Sequence, residues 1–230
     1  MPNLADKRVL VVGGSSGIGL ATAIIARQAG ADVLVASRHQ PDNAEAMAHM
    51  ALDISDEAAV AAALTGLEPF DHLIITAGGA DPAKFRATPA HSAMAAFQTK
   101  FWGAWRVAAL APLTANASIT FVSGVFAERP AKRNVAATCV NAALEALARS
   151  LAVELAPIRV NAVSPGLVDT PMWSAMPEDR RAAYFQSMAE KLPVGQICSA
   201  QDIAAAIVFC MCNPVMTGTV LKLDGGYTLV

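Results

Sequence analysis

Short runs rich in β-branched residues alternate with longer alanine- and leucine-rich runs along the 230-residue chain. The short runs have the length of buried strands, and the longer runs have helical periodicity. The predicted strands are 7–13, 32–36, 49–53, 71–75, 118–123, 158–162 and 219–223. The predicted helices are 17–29, 56–64, 89–113, 135–155 and 200–212. This order predicts a single α/β domain, residues 1–230, with a doubly wound parallel sheet of about seven strands and helices on both faces.

The composition excludes several classes of function. Seventeen basic and nineteen acidic residues give a formal net charge of −2, so no basic surplus is available to bind nucleic acid. No apolar run approaches the ~20 residues that span a bilayer, and the first residues lack a signal-peptide pattern. We therefore expect no membrane association and a cytoplasmic location. The spacing of the four cysteines and four histidines predicts no metal site.

The glycine-rich segment 11–19 joins the first predicted strand to the first predicted helix. Its glycines remove side chains where the backbone must turn sharply and approach a ligand closely. The helix start offers free N–H groups and partial positive charge to a pyrophosphate. The predicted contacts are Gly13, Ser15, Ser16, Gly17, Ile18 and Gly19. The alternative interpretation is a tight strand–helix turn with no ligand.

Further segments, taken with this turn, resemble the short-chain dehydrogenase/reductase family over nearly the whole chain. The glycine turn is similar to the family's TGxxxGIG motif, with Val12 in the place of threonine. Residues 75–78 resemble its NNAG motif, with Ile75 and Thr76 replacing the asparagines, and residues 164–170 resemble its PG motif. The resemblance implies a Rossmann-like fold, a nicotinamide dinucleotide cofactor, and hydride transfer to or from a carbonyl or alcohol carbon of a small molecule.

The resemblance also implies where the cofactor binds. Asp53, followed by Ile54, matches the acidic residue that meets the adenine, and the PG motif meets the nicotinamide carboxamide. The implied contacts beyond the glycine turn are Asp53, Ile54, Ala77, Gly78, Asn141, Pro165, Gly166, Val168 and Thr170. Because the family usually forms dimers and tetramers, we expect a homodimer or homotetramer.

The end of the second predicted strand indicates which dinucleotide binds. An acidic residue there would bind the ribose 2′-OH and favour NAD(H). This chain has Ser37 and Arg38 instead, and a guanidinium suits a 2′-phosphate. We therefore predict that NADP(H) is preferred over NAD(H). The alternative is an ordinary surface arginine.

The positions that carry the family's Asn-Ser-Tyr-Lys catalytic set differ in this chain. Ala137 takes the place of the tyrosine, and Asn141 takes that of the lysine. The serine position falls on Gly124, beside Ser123, and the asparagine position falls on Lys100. General acid–base catalysis contributes roughly 10²–10⁴-fold in rate. The loss of the tyrosine and the lysine should therefore slow the usual reduction strongly.

Three residues are the catalytic candidates that remain: Lys100, Ser123 and Asn141. Lys100 is a candidate relocated cation, although a solvated helix lysine is the alternative. Ser123 is a candidate hydrogen-bond donor to substrate, with a strand-end cap as its alternative. Asn141 is expected to hydrogen-bond a ribose hydroxyl without supplying charge. Residues 171–195, interrupted by prolines, are predicted to be a substrate lid.

Three functions follow from these residues. The first is an NADP(H)-dependent oxidoreductase with a degenerate catalytic set, acting on a small carbonyl, alcohol or related C=X substrate. The second is a non-catalytic NADP(H)-binding sensor or inactive subunit partner. The third is a non-redox enzyme on the same fold, which would need no dinucleotide.

Overall fold

A seven-stranded parallel sheet organises the computed structural model, which describes residues 3–41, 47–80, 82–87 and 89–230. Its strands are β1 (Arg8–Val12), β2 (Asp32–Ser37), β3 (Ala48–Ala51), β4 (Phe70–Ile75), β5 (Leu113–Val122), β6 (Arg159–Pro165) and β9 (Val220–Leu223). Their order across the sheet is β3-β2-β1-β4-β5-β6-β9. The order reverses at β1, where one half of the sheet continues to β2 and the other to β4.

Helices cover both faces of this sheet. They are α1 (Gly17–Gln28), α2 (Glu57–Leu64), α3 (Ala90–Ala96), α4 (Ala104–Leu110), α5 (Val135–Glu154), α6 (Glu178–Ala189) and α7 (Ala200–Cys212). Because successive strand residues face opposite sides, Leu10 joins the core beneath α2, α4 and α5, whereas Val9 and Val11 join the core beneath α1 and α7. The predicted doubly wound α/β fold is confirmed.

The predicted long helix 89–113 is wrong in its interior and at its end. A π-helical segment, Phe97–Gly103, joins α3 to α4, and the helix ends at Leu110. Gly103 packs so closely on Ile54 that a Cβ there would lie 2.6 Å from the Ile54 Cγ1 atom. Pro112 cannot continue a helix, so β5 already begins at Leu113.

The predicted lid contains the helix α6 and a short 3₁₀ turn, Pro171–Trp173. Two strands of two residues each, β7 (Val168–Asp169) and β8 (Cys198–Ser199), pair at its base and were not predicted. No residue of α6 is buried. Its role as a lid stays a prediction.

Within the described residues, α5 is the one helix that is long and apolar enough to cross a membrane, with a mean hydropathy of 1.2. The expectation that no apolar run approaches that length is therefore wrong for α5. Leu144 and Leu147 of this helix are buried in the core against the sheet. One face of α5 thus packs on the sheet, and a third of its apolar stretch is buried in the structure.

Candidate active site

The glycine turn after β1 depends on contacts that only glycine permits. Gly13 has φ +88°, and a Cβ there would lie 2.7 Å from both the Ala77 nitrogen and the Thr76 hydroxyl oxygen. That hydroxyl donates to the carbonyl oxygens of Val12 and Gly13, at 3.2 and 3.1 Å. Thr76, in the place of a family asparagine, therefore holds the turn.

The start of α1 is open to an anion. Ser16 is its N-cap residue, yet its side chain makes no capping hydrogen bond to the helix. The first backbone N–H groups therefore have no side-chain acceptor from their own cap, as a pyrophosphate site requires. Gly17, at φ +52°, places the turn against Thr170 of the PG motif, because a Cβ at Gly17 would lie 3.3 Å from the Thr170 Cβ.

A cleft of about 1780 Å³ opens at the carboxyl ends of β1, β2 and β4. The predicted cofactor residues that line it are Gly13, Ser15, Ser37, Arg38, Asp53, Ile54, Ala77 and Gly78. The other predicted residues lie outside its wall, namely Ser16, Gly17, Ile18, Gly19, Asn141, Pro165, Gly166, Val168 and Thr170. The cleft thus brings together the predicted adenosine half of the site.

Asp53 and Arg38 carry opposite charges at the adenosine end. The Asp53 carboxylate accepts hydrogen bonds from the hydroxyl and the backbone nitrogen of Ser55, at 2.7 and 2.9 Å. These bonds, and more weakly the charge of Arg38, lower the pKa of Asp53 below its usual value. Arg38 is exposed, so its guanidinium is accessible to a 2′-phosphate.

Ser37 is less available than Arg38. Its hydroxyl donates to the His39 carbonyl oxygen at 2.7 Å and lies 3.1 Å from the His49 Nε2 atom. A hydrogen bond from Ser37 to a 2′-phosphate would require its proton to leave His39. The contact of Ser37 with the cofactor stays a prediction.

Lys100 lies in the π-helical segment and is only 9% exposed, so it is buried rather than solvated. Its Nζ atom donates to the Ser123 carbonyl oxygen at 2.8 Å. Gly78 packs on its backbone, since a Cβ at Gly78 would lie 2.8 Å from the Lys100 Cα. Burial lowers the pKa of Lys100 to about 8, and the charge of Glu145 opposes this shift.

Asn141 is also buried and lies beside the end of β5. Its Nδ2 atom donates to the Gly124 carbonyl oxygen at 3.2 Å. Its Oδ1 atom has no hydrogen-bond partner in the part of the chain that the structure describes, and the same is true of the nearby Thr138 hydroxyl. A buried acceptor without a partner fits a hydroxyl donor from a bound ribose.

Glu145 was missed by the sequence reasoning. The Ser123 hydroxyl donates to its Oε1 atom at 2.8 Å, so Ser123 contacts both Lys100 and Glu145. Burial raises the pKa of Glu145, and the hydrogen bond from Ser123 opposes this. The available signal was its spacing, because Glu145 follows Asn141 by one helical turn and lies on the same helix face.

The chain has two tyrosines, Tyr184 and Tyr227. Tyr184 packs on the rings of Trp173 and Phe185, with centroid distances of 5.5 and 6.1 Å. Tyr227 lies beneath the Arg129 guanidinium, 4.8 Å from its ring centroid. Neither tyrosine lines the cleft.

Comparison with known proteins matches this arrangement along nearly the whole chain. A family model described as Enoyl-(Acyl carrier protein) reductase matches residues 12–228. Short-chain dehydrogenase/reductase ATR9 of Stachybotrys chlorohalonatus is 32% identical, over 98% of each chain. Cis-4-hydroxycyclohexanecarboxylate dehydrogenase of Sinomonas cyclohexanicum is also 32% identical, over 98% of each chain. A solved small-chain dehydrogenase in complex with NADPH is 40% identical, with a TM-score of 0.89, over 97% of this chain and 99% of that chain.

Proposed function

Because the chain belongs to the short-chain dehydrogenase/reductase family, we propose that it is an NADP(H)-dependent oxidoreductase acting on a small carbonyl, alcohol or related C=X substrate. The observation that carries the proposal is the glycine turn that Thr76 holds against Gly13, with the uncapped start of α1 beside it. The NADPH complex of a 40% identical neighbour supports a nicotinamide dinucleotide in this cleft.

The preference for NADP(H) is supported by Arg38. Its exposed guanidinium lines the cleft at the end of β2, where an acidic residue would instead bind a ribose 2′-OH. Arginine pairs with phosphate through two parallel hydrogen bonds, which a 2′-OH cannot match. We therefore propose that Arg38 provides most of the discrimination against NAD(H).

When bound, the nicotinamide would supply hydride reactivity to the site. The chain's own residues would bind the pyrophosphate at the start of α1 and bond a ribose hydroxyl to the unpartnered Asn141 Oδ1 atom. Since Ala137 and Asn141 stand where the resemblance places tyrosine and lysine, we propose that Lys100 holds the proton for the substrate oxygen. Its one hydrogen bond to protein among the described residues, to Ser123, leaves ammonium protons for this purpose.

Calorimetric titration with NADPH and then NADH is the first test of this function. We expect NADPH to bind more tightly. A panel of carbonyl, imine and enone compounds would then be incubated with tritiated NADPH, and stereospecific transfer of tritium into a product is expected. Absence of binding by either dinucleotide would overturn the proposal and favour the non-redox alternative.

A second candidate is a non-catalytic NADP(H)-binding protein, either a sensor or an inactive subunit partner. The observation that favours it is the replacement of all four catalytic positions, by Lys100, Gly124, Ala137 and Asn141. It predicts NADPH binding with no tritium transfer to any compound of the panel. The cytoplasmic location and the homodimer or homotetramer stay predictions, the latter testable by light scattering.

A further inference from the structure

We propose that Glu145 is a positioning residue of this site. Its carboxylate keeps the Lys100 ammonium charged, with Ser123 lying between the two side chains. The inference rests on the proposed function, because the charge of Lys100 acts on a substrate only if the site transfers hydride. Glu145 itself need not touch substrate or cofactor.

Ser123 joins the two charged residues through different atoms. Its carbonyl oxygen accepts from the Lys100 Nζ atom at 2.8 Å, and its hydroxyl donates to the Glu145 Oε1 atom at 2.8 Å. No direct ion pair joins Lys100 to Glu145 among the residues that the structure describes. Ser123, which follows β5, thus contacts both the ammonium and the carboxylate. In this described part of the chain, no direct hydrogen bond between them carries a proton from one to the other.

The burial of Lys100 makes this pairing necessary. An ammonium removed from water without a compensating negative charge loses its proton instead of staying charged. The carboxylate that acts on Lys100 is Glu145, which reaches it from α5 while Lys100 lies in the π-helical segment. The Glu145 carboxylate is half-buried, and hydrogen bonds from the side chains of Ser123 and Ser164 favour its charged form.

Other charges face Glu145 from the neighbouring elements. Arg149 lies one turn later on α5, and Lys222 on β9 and Glu128 after β5 act on it from the surface. Lys222 and Glu128 pair with each other at 2.9 Å at the surface. Glu145 is therefore the half-buried negative charge that acts on Lys100.

A charge role and a packing role for Glu145 make different predictions. In a Glu145→Gln variant, the amide oxygen can still accept from the Ser123 hydroxyl, so packing and hydrogen bonding are kept while the charge is lost. A Glu145→Asp variant keeps the charge on a shorter side chain. A Glu154→Gln variant, on the exposed end of the same helix, is the matched control.

The experiment is an NMR titration of the full chain with ¹³C-labelled lysine side chains. A Lys100→Arg variant assigns the Lys100 signal by its disappearance. We expect Lys100 to titrate near pH 8 in the unmodified chain. In Glu145→Gln we expect a midpoint about one pH unit lower, a tenfold change in its protonation equilibrium. Glu145→Asp should restore most of this shift, and Glu154→Gln should leave the midpoint unchanged.

An unchanged Lys100 midpoint in a Glu145→Gln variant that is folded by circular dichroism would overturn the inference. A Lys100 midpoint at the ordinary lysine value in the unmodified chain would overturn it as well. This titration uses neither dinucleotide nor substrate. If NADPH fails to bind or no tritium is transferred, the proposed function fails while the titration still decides whether Glu145 sets the charge of Lys100.

A kinetic readout extends the test to the compound that accepts tritium. If Glu145 keeps Lys100 charged, Glu145→Gln should shift the kcat profile to lower pH by the same one unit, which reduces kcat about fivefold at pH 8 and approaches tenfold at higher pH. KM for NADPH should stay the same, because the dinucleotide contacts lie elsewhere. A uniform fall of kcat at every pH would indicate a structural defect and would count against the inference.

Discussion

The two halves of the site are built on different principles. The adenosine half depends on backbone geometry, because Gly13 has φ +88° and lies against the Ala77 backbone. The proposed catalytic half depends on side-chain chemistry, because the Lys100 ammonium and the Glu145 carboxylate both hydrogen-bond to Ser123 after β5. The comparison indicates that substitutions should act differently in the two halves, through backbone geometry in the first and through charge in the second.

The largest expected effect separates catalysis from binding. Replacing Lys100 with methionine removes the proposed proton source, and we expect turnover to fall ~10²–10⁴-fold, as for loss of a general acid. The dissociation constant for NADPH should change less than ~3-fold. That corresponds to a smaller change in binding free energy than the ~1.4 kcal/mol of a tenfold change. Tritium transfer measures turnover, and calorimetry measures binding. The control is Lys7→Met, because Lys7 precedes the amino-terminal end of β1, at the edge of the sheet opposite the cleft. Full turnover in Lys100→Met would remove Lys100 from catalysis.

The next effect acts on the cradle. Gly13→Ala would force a side chain into a φ of +88°, with its Cβ 2.7 Å from the Ala77 nitrogen. We expect the affinity for NADPH to fall ~100-fold or more, from backbone strain of about 1–3 kcal/mol added to the clash. Gly66→Ala is the matched control, because Gly66 has φ +78° but nothing within 4 Å. Equal loss of NADPH binding in both variants would show that general destabilisation of the fold, and not the close contact at Gly13, is responsible.

A smaller effect tests which dinucleotide the cleft prefers. Arg38→Ala should weaken NADPH binding ~10–100-fold, since a hydrogen-bonded charged pair contributes about 1.5–3 kcal/mol. NADH has no 2′-phosphate, so its affinity should stay unchanged. The exposed Arg27 at the end of α1 provides the control variant Arg27→Ala. If both dinucleotides lose affinity equally, Arg38 has no role in discrimination.

The smallest effect concerns stability and pH. The pKa of Lys100 is about 8 in the folded chain against 10.5 for the free side chain, so the folded state holds fewer protons between these values. Stability of the natural chain therefore rises with pH across this window. A Lys100→Met variant lacks this titration, so the natural chain should gain about 1–3 kcal/mol in free energy of unfolding relative to the variant between pH ~7 and pH ~9.5. Urea unfolding of both proteins at the two pH values measures this change, and a difference between them that stays constant with pH would contradict the cause.

The sheet was predictable because buried parallel strands are nearly continuous runs of β-branched residues, as in β1 and β4. The π-helical segment was not, because hydrophobic periodicity does not mark a widened turn, and Gly103 packs on Ile54, which lies far away in sequence. The bond between Ser37 and His49 was missed for the same reason, since it needs the pairing of β2 with β3.

The contacts of the proposed catalytic half were not predictable from the sequence, and its catalytic role stays a prediction. Lys100 and Asn141 were identified by resemblance, yet nothing in a helix pattern shows that Lys100 points inward to the Ser123 carbonyl oxygen. Glu145 in an alanine-rich helix resembles an ordinary solvated residue. Only the distance between α5 and the end of β5 shows that its carboxylate meets Ser123.

The close fit between Gly124 and Asn141 couples the residues that can occupy these two positions. A Cβ at position 124 would lie 2.8 Å from the Asn141 Nδ2 atom, so any larger residue there requires the Asn141 side chain to move. A lysine at position 141, in turn, would bring a second ammonium towards Lys100. A change at either position therefore alters what the other can accept, and substitutions at the two positions are best designed as pairs.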